Sequence, residues 1–166
     1  MTRSRPRIYL LRSIETDSQQ RSIEVDEVVA VKNPAYNKVV AIAEDIRAMR
    51  IRGASEIARS AVESLLLTAQ SSQANNTKEL AQEIEEAARL MIRTRPTAVS
   101  LPNGIRYVMY RVREANADAG DVPRLREVAI KACQEFIENS RTAVQKIGEI
   151  GAKRIRDGDV LMTHCH

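Results

Sequence analysis

Three short segments of this sequence bring together side chains able to do chemistry. Arg52-Gly53-Ala54-Ser55 sets a fixed cation and a glycine where a helix begins. The free amides and the dipole of a helix start attract an anion, and a phosphate would fit there. The same four residues also read as an ordinary helix-helix corner, with Gly53 stopping one helix, Ser55 capping the next and Arg52 on the surface. Thr94-Arg95-Pro96-Thr97 presents an arginine fork between two hydroxyls on a proline-stiffened turn, or else simply stops a helix. Together the two arginine segments suit a ligand that carries a phosphate at each end. Thr163-His164-Cys165-His166 offers a thiol for proton transfer with imidazoles to tune it, although a core thiol is an equal reading. On a strand His164 and His166 face one side and Cys165 the other, so one metal ion cannot readily use all three, and no metal site is expected. Cys133, the other cysteine, falls on a helical core stripe and is expected to be buried and inert.

The elements that must position these groups follow from hydrophobic period. Residues 1–36 are rich in Arg, Ser and Gln and end at the turn signal Asn33-Pro34, so they read as an N-terminal extension of disordered character. From Val39 the apolar residues Val39, Ile42, Ala43, Ile46 and Met49 recur three and four apart, which predicts a first helix. After the Arg52–Ser55 corner a second helix buries Ile57, Ala61, Val62, Leu65 and Ala69. Asn76 with Glu79 three residues on resembles a capping arrangement for a third helix carrying Leu80, Ile84, Ala88 and Met91. Pro96 ends that helix near Thr94. Pro102 and Asn103 mark the start of a fourth helix, with Ile105, Val108, Met109 and Val112 on its face. Pro123 opens a long fifth segment in which Leu125, Ala129, Ala132, Phe136, Val144 and Ile147 hold helical spacing, with Gly148 and Gly151 as points of bending.

Beyond Asp157-Gly158 the period changes, and Val160-Leu161-Met162-Thr163 reads as a short buried strand. A lone strand cannot satisfy its own backbone, so it implies sheet partners that the 166 residues do not contain. The expected fold class is therefore mainly α: an extension over residues 1–36, a helical domain over 37–157, and over 158–166 the first strand of a sheet domain.

Composition narrows the function. The 26 cationic residues are interleaved with 22 acidic ones, so a net charge of +4 reads as a mixed, solvated surface and not as a nucleic-acid footprint. Aromatic residues make up only 3% of the chain, too few to interleave with basic residues as base-stacking platforms do. No apolar run is long enough for a membrane span or a signal peptide. Two cysteines without framework or ligand spacing fit free thiols in a reducing cytoplasm.

At all three chemical segments the sequence resembles a known family. Arg52-Gly53-Ala54-Ser55, the run Thr94-Arg95-Pro96-Thr97-Ala98-Val99-Ser100-Leu101-Pro102-Asn103, and the ending Gly158-Asp159-Val160-Leu161-Met162-Thr163-His164-Cys165-His166 are similar to archaeal ribose-1,5-bisphosphate isomerases. The likeness covers about residues 37–166. That group sits with methylthioribose-1-phosphate isomerases and the regulatory subunits of translation initiation factor 2B, all built from a helical N-terminal domain and a Rossmann-like C-terminal domain. The resemblance implies a cytoplasmic, homo-oligomeric enzyme that converts a phosphorylated sugar, ribose 1,5-bisphosphate, to ribulose 1,5-bisphosphate in nucleotide salvage, with no cofactor. It implies that Arg52, Gly53, Ala54, Ser55 and Arg95 hold substrate and that Cys165 is one catalytic group. The second, an aspartate of the Rossmann-like domain, is not in this sequence, so the chain is expected to be inactive alone. Two other roles follow from the same likeness: a non-catalytic subunit of the initiation-factor type acting by protein or nucleotide binding, or a relative of the methylthioribose-1-phosphate isomerases.

Overall fold

The computed structural model describes residues 33–118 and 120–162, and among these every regular element is a helix: α1 (Tyr36–Arg47), α2 (Ala54–Ser71), α3 (Thr77–Thr94), α4 (Ser100–Asp118) and α5 (Val122–Ala152). Helix α2 lies at the centre and packs against the other four. Its buried face combines Ile57, Val62 and Leu65 with the small residues Ala58, Ser60, Ala61, Ser64, Thr68 and Ala69, and small side chains let neighbouring helices approach closely. Two of the hydroxyls among them are satisfied within the helix, Ser64 Oγ donating to Ser60 O at 3.1 Å and Thr68 Oγ1 to Ser64 O at 2.8 Å. Around α2 the core is completed by Ile46, Leu80, Ile84, Met91, Leu101, Val108 and Leu125, all fully buried. Cys133 joins them at 0% exposure, as its place on the stripe predicts.

Local chemistry explains most helix boundaries. Asn76 caps α3, accepting the Glu79 amide at 2.9 Å, and Glu79 Oε2 reaches back to the Asn75 amide at 3.3 Å. Asp121 caps α5 by accepting the Arg124 amide at 2.8 Å, with Pro123 in the first turn where no donor is needed.

The end of α1 differs from the sequence expectation. The left-handed residue is Met49 (φ 59°), not Gly53, because the amides of Arg50 and Ile51 fold back onto Asp45 O at 2.8 and 3.0 Å and the Asp45 carboxylate holds Arg50 Nε at 2.6 Å. Asp45 thus closes α1 with both its carbonyl and its side chain.

The bundle also begins earlier than the expected boundary at residue 37. Asn33 and Ala35 are buried. The Asn33 amide donates to Thr68 O on α2 (3.0 Å) and to Glu83 Oε2 on α3 (2.7 Å), while its Oδ1 accepts the Ala35 amide (3.0 Å). The first 32 residues of the expected extension lie outside the described residues.

At the other end, α5 runs unbroken through Gly148 to Ala152. Val144 and Ile147, which hold the helical spacing, are 56% and 70% exposed, and Ile150 is 62% exposed. Residues 158–162 of the expected strand have no strand pairing among the described residues, with Val160 and Met162 each 97% exposed; residues 163–166 lie outside them.

Candidate functional site

The first two chemical segments meet at one end of the bundle. Gly53 stands at the N-cap of α2 with φ 84° and ψ 135°, and no side chain caps the helix. Ser55 is therefore not the cap the sequence suggested: the chain turns helical at Ala54, which puts Ser55 inside the first turn, too late to accept from it. As a result the amides of Ala54, Ser55 and Glu56 point out of the helix end without a side-chain acceptor, the arrangement that favours an anion. Arg52 is exposed beside them and makes no ion pair among the described residues. Gly53, Ala54, Ser55 and Glu56 line an open groove of about 620 Å³ together with Arg59, Arg141 and Val144. Arg59 is engaged, pairing with Glu56 and donating to Ser140 Oγ at 3.3 Å. Sequence spacing gave no signal for Arg59 or Arg141, which line the groove from within α2 and α5.

The conformation of Gly53 falls in a region that side chains with a Cβ avoid, yet nothing lies within 4 Å of where that Cβ would stand. Its cost is therefore backbone strain alone. Gly53→Ala is expected to lower stability by about 1 to 2 kcal/mol and to shift the α2 start, measured by urea denaturation; unchanged stability would mean that the corner relaxes freely.

The second segment follows α3. Thr94 is buried and its hydroxyl is spent on Met91 O at 2.6 Å. The arginine fork therefore does not stand between two free hydroxyls, as the sequence suggested; only Thr97 is exposed. Arg95 is half-buried with an extended backbone (φ −146°), and no ion pair to it is found among the described residues. A chain of turns leads on from it: the Ala98 amide donates to Arg95 O (3.1 Å), Leu101 to Ala98 O (3.0 Å) and Asn103 to Val99 O (3.3 Å). The turn then closes onto the first segment, where Ser100 Oγ donates to Ala54 O at 2.7 Å. Arg52-Gly53-Ala54-Ser55 and the Arg95 turn are thereby parts of one surface. Exposed Arg52, half-buried Arg95 and the free amides equip it to bind an anion.

The third segment is not brought into view, since Cys165, His164 and His166 lie outside the described residues. Cys133 is far from chemistry: burial pushes its thiol up to about 12, so it stays protonated near neutral pH. Among the described residues no group of three or more His, Cys, Asp or Glu has the arrangement of a metal site. No helix among them is long and apolar enough to cross a membrane.

Residues 50–166 match the family described as the initiation factor 2 subunit family. The chain is 54% identical over 129 residues to a protein of Thermococcus kodakarensis named ribose 1,5-bisphosphate isomerase, covering 78% of this chain and 40% of that one. It is 30% identical over 164 residues to a putative methylthioribose-1-phosphate isomerase of Methanosarcina acetivorans, covering 45% of that protein and 95% of this chain, and so taking in most of the first 36 residues. Among solved structures it is similar to translation initiation factor eIF-2B, subunit delta, from A. fulgidus, with a TM-score of 0.61 and 27% identity, over 73% of this chain and 34% of that one. The chain thus spans less than half the length of each of these relatives.

Proposed function

Because the chain belongs to the initiation factor 2 subunit family, we propose that it is the helical N-terminal part of a sugar-phosphate isomerase that converts ribose 1,5-bisphosphate to ribulose 1,5-bisphosphate in nucleotide salvage. In this reading the helical domain, from Asn33 to about residue 157, is followed by the start of a Rossmann-like domain over residues 158–166. Arg52, the amides of Gly53, Ala54 and Ser55, and Arg95 hold the substrate, and Cys165 is one of two groups that move a proton between C2 and C1. The intact protein works in the cytoplasm as a homo-oligomer, without cofactor, membrane or nucleic acid; the 166 residues alone are inactive.

The observation that best supports the reading is the hydrogen bond from Ser100 to Ala54, because it makes two separate cationic segments into one anion-facing surface. Two cationic centres match the two phosphates of the substrate. In the intact protein, Arg52→Ala and Arg95→Ala are each expected to raise KM roughly tenfold or more, the loss of a charge-assisted hydrogen bond. Circular dichroism should be unchanged, since neither side chain is part of the core. Wild-type kinetics in both variants would return the corner to a plain structural role.

The competing reading is a non-catalytic subunit acting by protein or nucleotide binding. It is favoured by the structural likeness to an initiation factor subunit. On that reading the intact protein turns over no sugar phosphate.

A further inference from the structure

We infer that Ser100 is a positioning residue of the substrate site: its hydroxyl clamps the turn that carries Arg95 onto the helix start that carries Arg52 and the free amides, and so sets the spacing between the two phosphate-binding halves. The inference rests on the substrate reading above and assigns a role within that same site.

The first reason is that the hydroxyl is not needed where it stands. Ser100 is the first residue of α4, one position past the cap site, where a serine hydroxyl has no cap to form for its own helix. Here the next residues leave nothing for it to cap. The amides of Leu101 and Asn103 are already bonded to Ala98 O and Val99 O, and Pro102 has no amide to offer. The hydroxyl is instead directed to a carbonyl 46 residues away in sequence, at 2.7 Å.

The second reason is that the acceptor does not need it either. Ala54 O lies in the first turn of α2, where helix geometry supplies the Ala58 amide as its partner. The bond is also exposed, so neither end was at risk of being buried without a partner. A bond that satisfies no orphan group adds little to folding. What it does is fix a distance.

The third reason is that the fixed distance is transmitted. From Arg95 to Leu101 the backbone is tied by consecutive turn bonds and stiffened by Pro96, and Leu101 anchors its far end in the core at 0% exposure. Holding Ser100 against Ala54 therefore holds the Arg95 backbone at a set offset from Gly53. A substrate with two phosphates gains from such preorganisation in binding, since the freedom of the turn is already lost before it arrives.

The test uses the intact protein with ribose 1,5-bisphosphate. Ser100→Ala is expected to raise KM about three- to tenfold, with kcat within about twofold and the melting temperature unchanged. Ser100→Thr, which keeps the donor, should restore KM. In the Ser100→Ala, Arg95→Ala double variant the losses should be less than additive, because an arginine already removed has no position to lose. Wild-type KM in Ser100→Ala, or a loss that threonine does not rescue, overturns the clamp. If Arg52→Ala and Arg95→Ala raise KM while Ser100→Ala does not, the clamp alone fails; if none of the three changes KM, the substrate reading fails with it.

Discussion

Replacing Cys165 by serine in the intact protein is expected to cut turnover about a hundredfold or more while the fold stays intact. An aldose-ketose isomerisation opens the sugar and moves a proton between neighbouring carbons, so it needs an acid and a base that exchange protons near neutral pH. A thiol has an ordinary pKa near 8.5 and is readily tuned by its surroundings. A serine hydroxyl of almost the same size does not ionise in that range. The loss should therefore fall on kcat at saturating substrate, with KM set as before by Arg52 and Arg95. Cys133 provides the internal contrast. It is fully buried on α5, and burial raises its thiol to about 12, so it holds its proton near neutral pH and cannot exchange it with a substrate. Cys133→Ala should lower stability and leave kcat alone. Near-normal turnover in a folded Cys165→Ser protein would defeat the catalytic assignment and favour the non-catalytic reading.

Asn33→Ala is expected to destabilise the helical domain by about 3 kcal/mol. The side chain spends both of its donor hydrogens and its acceptor on buried partners. Its removal strips a donor from the Glu83 carboxylate, on a residue only 6% exposed, and leaves the Ala35 amide without its acceptor, while the Thr68 carbonyl keeps the Ser72 amide at 3.0 Å. A hydrogen bond to an ionised group contributes about 1.5 to 3 kcal/mol, and a buried group left without a partner costs about as much again. Relaxation and entry of water will recover part of that sum. Urea denaturation of the variant measures the difference directly, and a loss below about 1 kcal/mol would show that Glu83 finds another donor. No catalytic effect is expected beyond that of partial unfolding.

The parts of the fold that were legible in the sequence are those decided within one turn of chain. Asn76 with Glu79, Pro96 and Pro123 each act on nearby residues of the same chain stretch, and each marks the boundary it was expected to mark. Cys133 was legible because burial on a helix follows its period. The errors arise where distant residues decide. Met49 takes the left-handed position because Asp45 draws the next two amides back, which leaves Gly53 free to start α2 instead of ending α1. Val144 and Ile147 have the right period yet stay exposed, since period reports the shape of a helix and not what packs beside it. Asn33-Pro34 looked like a turn at the edge of an extension, and nothing local reveals that the asparagine is bonded to residues 35 and 50 positions further on. For the site, the residue types at Arg52–Ser55 and Arg95 were legible. Their meeting through Ser100 was not, since it depends on how α2 and α4 cross.

The central position of α2 has a consequence for how the protein tolerates change. Because four helices press on it, positions such as Ala58, Ala61, Ser64 and Ala69 accept no larger side chain without pushing a neighbour outward. A saturation mutagenesis experiment would find these positions as unforgiving as those of the anion-facing surface. The two kinds of intolerance separate by what is counted. Variants at Ala61 or Ser64 should disappear from the pool of folded protein, whereas variants at Arg52, Arg95 and Ser100 should remain abundant and differ only in what they bind. Abundance scored alongside activity thus reads scaffold from site residue by residue, and along α2 the boundary should fall within its first turn, between Ser55 and Ile57.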